Sequence, residues 1–235
     1  MIIKQTLYPK TKRIGTEQTM WTITEKLDGS NLGIFKLVNH LVIAQRNNIF
    51  VWENKDNHNL DKNSAYKGLL DWLELNGANL IESLYEGSGV FGEWIGMGKI
   101  KYQERLDKRF YVFAKARIKL NLDTDTFKIS NLIYDRNLTH YAFETQELPD
   151  YISLVPKVEV VENKPTKEDL DDIYETYCDR VNADFINSET TADIDVNDYP
   201  NKVEGFVVSD GYSVEKYVRF KGGKLTDHIA KYDNE

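Results

Sequence analysis

Lys26-Leu27-Asp28-Gly29-Ser30-Asn31 lies between two runs of β-forming residues, Trp21 to Thr24 before it and Asn31 to Leu37 after it. A lysine, an acid and a glycine in that setting predict a strand-to-loop turn with the glycine at its tight point. Working outward, Leu41 to Ala44, Val90 to Trp94, Phe110 to Ala114, Phe206 to Val208 and Tyr217 to Phe220 also read as strands. Helical spacing predicts a helix over Lys62 to Leu75, with Tyr66, Leu69, Leu70 and Leu73 on one side. Thr166 is placed to cap a second helix on which Leu170, Ile173, Tyr174 and Tyr177 share a face, and a short helix is expected near Leu225 to Tyr232. Many strands with a few segregated helices predict an α+β fold, antiparallel sheets with peripheral helices. The acidic stretch of about 163–190 reads as a helical insertion into one domain spanning 1–235.

Composition narrows the class. Hydrophobic residues make up 41% of the chain and charged residues 29%, as in ordinary globular proteins. No apolar run approaches the roughly 20 residues that cross a bilayer, so no membrane partner is expected. Cys178 is the only cysteine, which excludes an internal disulfide and a cysteine metal cluster and fits a cytoplasmic location. The net charge of -8 hides an asymmetry: Lys99 to Lys119 carries eight basic residues against Glu104 and Asp107, whereas Asp150 to Asp198 carries fourteen acidic to four basic. Screening limits each charge to about 8–10 Å, so a local basic surface can hold phosphates on an acidic chain. His40, His58, His140 and His228 show no metal-ligand spacing. Gly222-Gly223-Lys224 is followed by Leu225 and not by Ser or Thr, so it is no Walker phosphate loop.

Five further segments follow the opening one in order. They are Gln45-Arg46-Asn47-Asn48, Phe91-Gly92-Glu93-Trp94, Phe110-Tyr111-Val112-Phe113, Glu204-Gly205-Phe206-Val207-Val208 and Val218-Arg219-Phe220-Lys221-Gly222-Gly223-Lys224. Taken together, the set resembles the ordered motifs of covalent nucleotidyltransferases, the ATP-dependent polynucleotide ligases and mRNA-capping guanylyltransferases. The asparagine after KxDGS, the FGE segment and the EGFVV segment look most like the double-strand, nick-sealing RNA ligases, a branch that includes bacteriophage and RNA-editing enzymes. The resemblance spans roughly Glu25 to Lys224.

That resemblance implies a ligase adenylation domain of ATP-grasp-like nucleotidyltransferase type, an ATP cosubstrate, Mg²⁺ or Mn²⁺, and RNA with 5′-phosphate and 3′-hydroxyl ends, acted on by a monomer. It implies that Lys26 takes up AMP. A free lysine has a pKa near 10.4, so presenting it neutral at pH 7.4 costs about 4 kcal/mol, which nearby cations and a metal can offset. Arg219 and Lys221, if they alternate on a strand, supply such cations and neutralise the α-phosphate. By the same resemblance, Glu204 positions the divalent metal, with Asp28 orienting the loop or a metal-bound water. Glu93 holds the ribose, Arg46 and Asn31 contact sugar or phosphate, and Phe113 stacks on the adenine with Val207 on its other face. Glu25 belongs to the same nucleotide site. Lys99, Lys101 and Arg105 are expected at the RNA backbone.

One departure stands out. The family usually has lysine at both alternating positions of the last motif, and here the first is Arg219, which cannot act as a compact ammonium acid. Lys216 is a possible substitute. Two rivals remain: a capping guanylyltransferase and a nucleotide- or RNA-binding module without catalysis. The capping enzyme is disfavoured because too little chain follows Lys224 for a C-terminal OB domain. The binding module is disfavoured because Lys26, Glu93, Glu204 and Lys221 are all present.

Overall fold

In the computed structural model, the described residues are 20–45, 48–58, 66–96, 98, 100–102, 105–121, 126–133, 142–143, 148–188, 198–211, 213–221 and 224–225. They form, in chain order, β1 (Trp21–Glu25), β2 (Ser30–Leu37), β3 (His40–Ala44), β4 (Ile49–Asn54), β5 (Asn57–His58), α1 (Leu69–Ser83), β6 (Ser88–Trp94), β7 (Phe110–Asn121), β8 (Thr126–Ile133) and β9 (Ile152–Leu154). There follow β10 (Lys157–Val161), α2 (Lys167–Val181), α3 (Ala183–Ser188), β11 (Gly205–Ser209), β12 (Val214–Val218), β13 (Phe220–Lys221) and β14 (Lys224–Leu225). Contacts divide the chain into two compact units, neither continuous in sequence. The first contains 29–97 and 108–155; the second contains 13–28, 98–107 and 156–235. No helix among the described residues is long and apolar enough to cross a membrane.

The first unit is built on one sheet in the order β5-β4-β3-β2-β6-β7-β8, antiparallel throughout, with β9 pairing parallel to β7. The central strands β3 and β6 are buried along nearly their whole length, so their sequences read as near-continuous apolar runs. Leu32, Ile34, Leu41, Ile43, Val90, Phe110 and Val112 face α1, meeting Leu69, Trp72, Leu73 and Leu80. Phe35, Val42, Ala44, Phe91, Ala114 and Ala116 form a second cluster. The helix runs from Leu69 to Ser83, later than the sequence spacing predicts, and continues through Gly77. Tertiary packing carries it past that glycine: a Cβ there would lie 2.3 Å from the buried Trp52 ring, so only glycine lets the helix approach β4.

The second unit carries the sheet β10-β1-β11-β12, also antiparallel. α2 begins as the sequence predicts, with Thr166 accepting from the Asp169 amide while the Asp169 carboxylate accepts from the Thr166 amide, a reciprocal cap. The acidic stretch expected as a helical insertion carries α2 and α3 between β10 and β11, and α2 packs on the sheet. Leu170, Tyr174, Tyr177 and Cys178 recur at helical spacing and are buried with Trp21, Ile23, Phe206, Val208 and Tyr217 of the sheet. The acidic residues Glu168, Asp172, Glu175 and Asp179 are on the exposed side of this helix, whose other side supplies four residues to the core. The closing helix expected near Leu225 to Tyr232 falls outside the described residues apart from Leu225, which lies in β14.

Gly77→Ala separates packing from propensity. Alanine is normally the better helix former by about 1 kcal/mol, yet the clash with Trp52 makes this substitution destabilising by about 1–3 kcal/mol. The check is a lower urea midpoint at unchanged slope.

Candidate active site

The turn that follows β1 is held by backbone and side-chain bonds at successive residues. Glu25 N donates to Pro156 O at 2.8 Å and Lys26 N to Gly205 O at 2.9 Å. Asp28 N donates to the Tyr102 hydroxyl oxygen at 2.5 Å, and Asp28 Oδ2 accepts from Ile100 N at 2.9 Å. The result is a Lys26 side chain of which only a quarter is exposed, its Nζ lying 2.5 Å from Glu204 Oε1. Two residues far apart in sequence, each singled out on its motif, therefore meet as an ion pair.

Glu204 sits just before β11, and its carbonyl accepts from both Arg219 N at 2.9 Å and Phe220 N at 3.0 Å. Burial raises its carboxyl pKa, and Asp28 pushes the same way; Lys26 and Lys216 oppose them without cancelling the rise. Its Oε2 is buried without a hydrogen-bond partner. A buried carboxylate oxygen with no donor fits a hard cation that keeps most of its water, as Mg²⁺ does. Among the described residues no group of three or more His, Cys, Asp or Glu side chains converges, so an ion here would draw most of its ligands from water and phosphate.

The cations are used differently from the expectation. Arg105, expected at the RNA backbone, gives both terminal nitrogens to the Glu25 carboxylate, at 2.5 and 2.6 Å, and lies over the Tyr102 ring at 5.4 Å. Glu25, expected at the nucleotide, has no side-chain exposure and also accepts from the Tyr177 hydroxyl at 2.7 Å. A fully buried carboxylate binds the nearest matched fork of donors, and that fork is Arg105. Burial alone would lower the Arg105 pKa, but Glu25 more than offsets it.

Arg219 and Lys221 do not continue one strand. The chain bends at Arg219, between β12 and β13, where two successive amides reach one carbonyl. The Arg219 guanidinium reaches Asp171 Oδ1 at 2.5 Å and the Tyr217 hydroxyl at 3.0 Å, and it lies over the Tyr174 ring at 5.3 Å. Lys221 lies in β13, paired with Lys224. Lys216 stands on β12 opposite Val207 of β11. Val207 is half-buried and points away from the core that holds Phe206 and Val208.

In the first unit, Asn31 and Glu93 are direct cross-strand partners on β2 and β6, both half-buried. Such partners project to the same side of a sheet. Asn31 O accepts from the Tyr66 hydroxyl at 2.6 Å, and burial with the Glu93 charge pushes Tyr66 up to about 12. Phe113 is the extra residue of a β-bulge, because β6 pairs Phe91 with Ala114 and Gly92 with Val112. Bulges re-aim a side chain and recur beside active sites. Arg46 and Lys99 lie outside the described residues, and Lys101 is exposed. Sequence reasoning missed Tyr102, Tyr177 and Asp171. Tyr177 was visible only as a helix-face residue, and nothing local distinguishes Tyr102.

The RNA ligase family profile matches residues 19–232, and the chain belongs to that family. Among solved structures it is similar to a point variant of Naegleria gruberi RNA ligase with ATP and Mn, at 17% identity and a TM-score of 0.47. It is likewise similar to an apo variant of that protein, at 18% and 0.48, and to that protein with PPi, at 18% and 0.43. Each match covers 86% of this chain, which spans about half, 50%, of the matched chains. Comparison with curated proteins finds no match.

The Asp171 cluster makes a pH prediction. Burial works to raise the Asp171 pKa, but hydrogen bonds from Lys167, Tyr217 and Arg219 outweigh it and hold it at about 2, from an ordinary 3.8. A depressed carboxyl pKa stabilises the fold above its ordinary value and loses that contribution as pH falls through the folded value. Asp171→Asn therefore lowers the urea midpoint at neutral pH, and its difference from wild type closes as pH falls from 3.8 to about 2.

Proposed function

We propose that this chain is an ATP-dependent RNA ligase that joins 5′-phosphate and 3′-hydroxyl RNA ends through lysyl-AMP and a 5′-adenylated strand. The observation that carries this is the Lys26–Glu204 pair at 2.5 Å, which unites the KxDG and EGFVV motifs within a chain of the RNA ligase family.

In the first step the Lys26 Nζ lone pair attacks the α-phosphorus of ATP. An N–P bond forms, the bond from phosphorus to the bridging oxygen breaks, pyrophosphate leaves, and the amine gives up a proton. Glu204 Oε1 is the hydrogen-bonding partner against which that proton is held. In the second step the AMP passes to a 5′-phosphate oxygen of RNA, and Lys26 leaves. In the third, a 3′-hydroxyl attacks the activated phosphorus, forms the phosphodiester and expels AMP. Each step is an in-line displacement, so the protein contributes alignment and charge neutralisation. Glu204, with Asp28 beside it, would hold Mg²⁺ or Mn²⁺, which when bound neutralises phosphate charge.

Asn31 and Glu93, projecting together from the first unit's sheet, suit the ribose and its phosphate. Phe113 and Val207 are assigned to the adenine, Arg46 and Lys221 to phosphates, and Lys99 and Lys101 to the RNA backbone. Arg219 is assigned to the fold, and Lys216 takes its place as the exposed cation of the last motifs. The enzyme is read as a monomer of the cytoplasm, where Cys178 stays a buried thiol.

Incubation with ATP and Mg²⁺ should add one AMP to the intact protein by mass, and Lys26→Ala should take none; a Lys26→Ala protein that still gains AMP overturns the assignment. Gain of GMP from GTP in place of AMP would identify a capping-type enzyme. Glu204→Gln should slow adenylation by about 10²–10³-fold, the scale for losing one charge-stabilising group. Sealing of nicked duplex RNA beside single-stranded RNA then tests the nick-sealing branch.

A further inference from the structure

The 98–107 segment belongs to the second unit although the chain on either side of it belongs to the first. Hydrogen bonds from its Ile100, Tyr102 and Arg105 reach the two residues that flank Lys26 and Leu27. On the near side, Arg105 binds both oxygens of Glu25. On the far side, the Tyr102 hydroxyl accepts from Asp28 N and Ile100 N donates to Asp28 Oδ2. Gly98 packs against the same residue so closely that a Cβ there would lie 1.8 Å from Asp28 O. The two sides are tied together, since Arg105 N donates to Tyr102 O at 3.0 Å and its guanidinium lies over the Tyr102 ring.

From this geometry we infer that Arg105 and Tyr102 are positioning residues for Lys26: they clamp the backbone on both sides of the nucleophile and so aim its amine. The inference rests on the reading of Lys26 as the adenylated residue. A lysine amine stands at the end of a flexible four-carbon stem, and its line of attack inherits any tilt of the Cα frame. In-line displacement at phosphorus is sensitive to such tilt, with about 10²-fold lost per ångström of misplacement. A buried ion pair that served folding alone would not need the second grip on Asp28.

The reaction sequence separates alignment of Lys26 from support of the fold. Only the first step uses Lys26 as nucleophile; sealing of an RNA strand supplied already adenylated does not. The experiment compares full-length wild type with Tyr102→Phe, Arg105→Lys and the double variant Glu25→Gln/Arg105→Gln, which removes both buried charges and leaves none unpaired. Three quantities are measured: the rate of AMP transfer to protein across ATP concentrations, the rate of sealing of pre-adenylated RNA in a nicked duplex, and the urea midpoint.

Each variant should lower kcat for adenylation by about 10–100-fold, with KM for ATP within about twofold and sealing of pre-adenylated RNA close to wild type. Arg105→Lys, which keeps the charge and loses the bidentate fork, should be no better than the uncharged double variant. Equal loss of both steps would reduce the clamp to fold support and overturn the inference. Loss of sealing with adenylation intact would return Arg105 to the RNA backbone and also overturn it, as would unchanged adenylation. Wild-type protein that takes up no AMP would overturn the ligase reading itself, a result seen before any variant is compared.

Discussion

A carboxylate with no exposed side-chain surface, Glu25, sits one residue before Lys26, and the second unit is arranged to keep it paired. An ion taken out of water costs several kcal/mol unless its partners are close and well aimed. Three donors answer that need here, two from Arg105 and one from the Tyr177 hydroxyl. Arg105 comes from the 98–107 segment and Tyr177 from α2, so one buried charge ties β1, a loop and a helix together. The turn carrying Lys26 starts from this anchor.

The same demand explains how the second unit uses Arg105 and Arg219. Both are largely buried, and each binds a carboxylate while its guanidinium lies over a tyrosine ring. A planar guanidinium tolerates such sites because its fork satisfies a carboxylate and its face rests on an aromatic. Lysine is used where a single charge is needed: Lys26 meets Glu204 end on, and Lys216 is exposed on β12. The replacement of lysine by arginine at position 219 thus matches a change of surroundings, since Asp171 and Tyr217 hold the guanidinium against α2.

Strands with strong β-forming runs were legible locally. β1, β2, β3, β6 and β11 fall within a residue or two of their sequence signals, and Thr166 announces the start of α2. α1 runs further than its helical spacing predicts, because packing of Trp52 against Gly77 carries the helix through a residue of poor propensity. β8 and β10 were not read because their sequences mix charged with apolar residues, and their pairing with β7 and β1 is what makes them strands. At the site, Lys26 and Glu204 were legible as motif residues, whereas Arg105 and Glu25 were assigned to ligands although they bind each other.

By itself the sequence determined the α+β class, the family signature and the residue types able to carry the chemistry, because these depend on order and spacing along the chain. Only the tertiary structure decided which charge each of those residues meets. Burial sets that choice: a charged side chain removed from water takes the nearest partner of matching geometry. The nearest partner in space, Arg105 for Glu25 or Asp171 for Arg219, lies far along the chain.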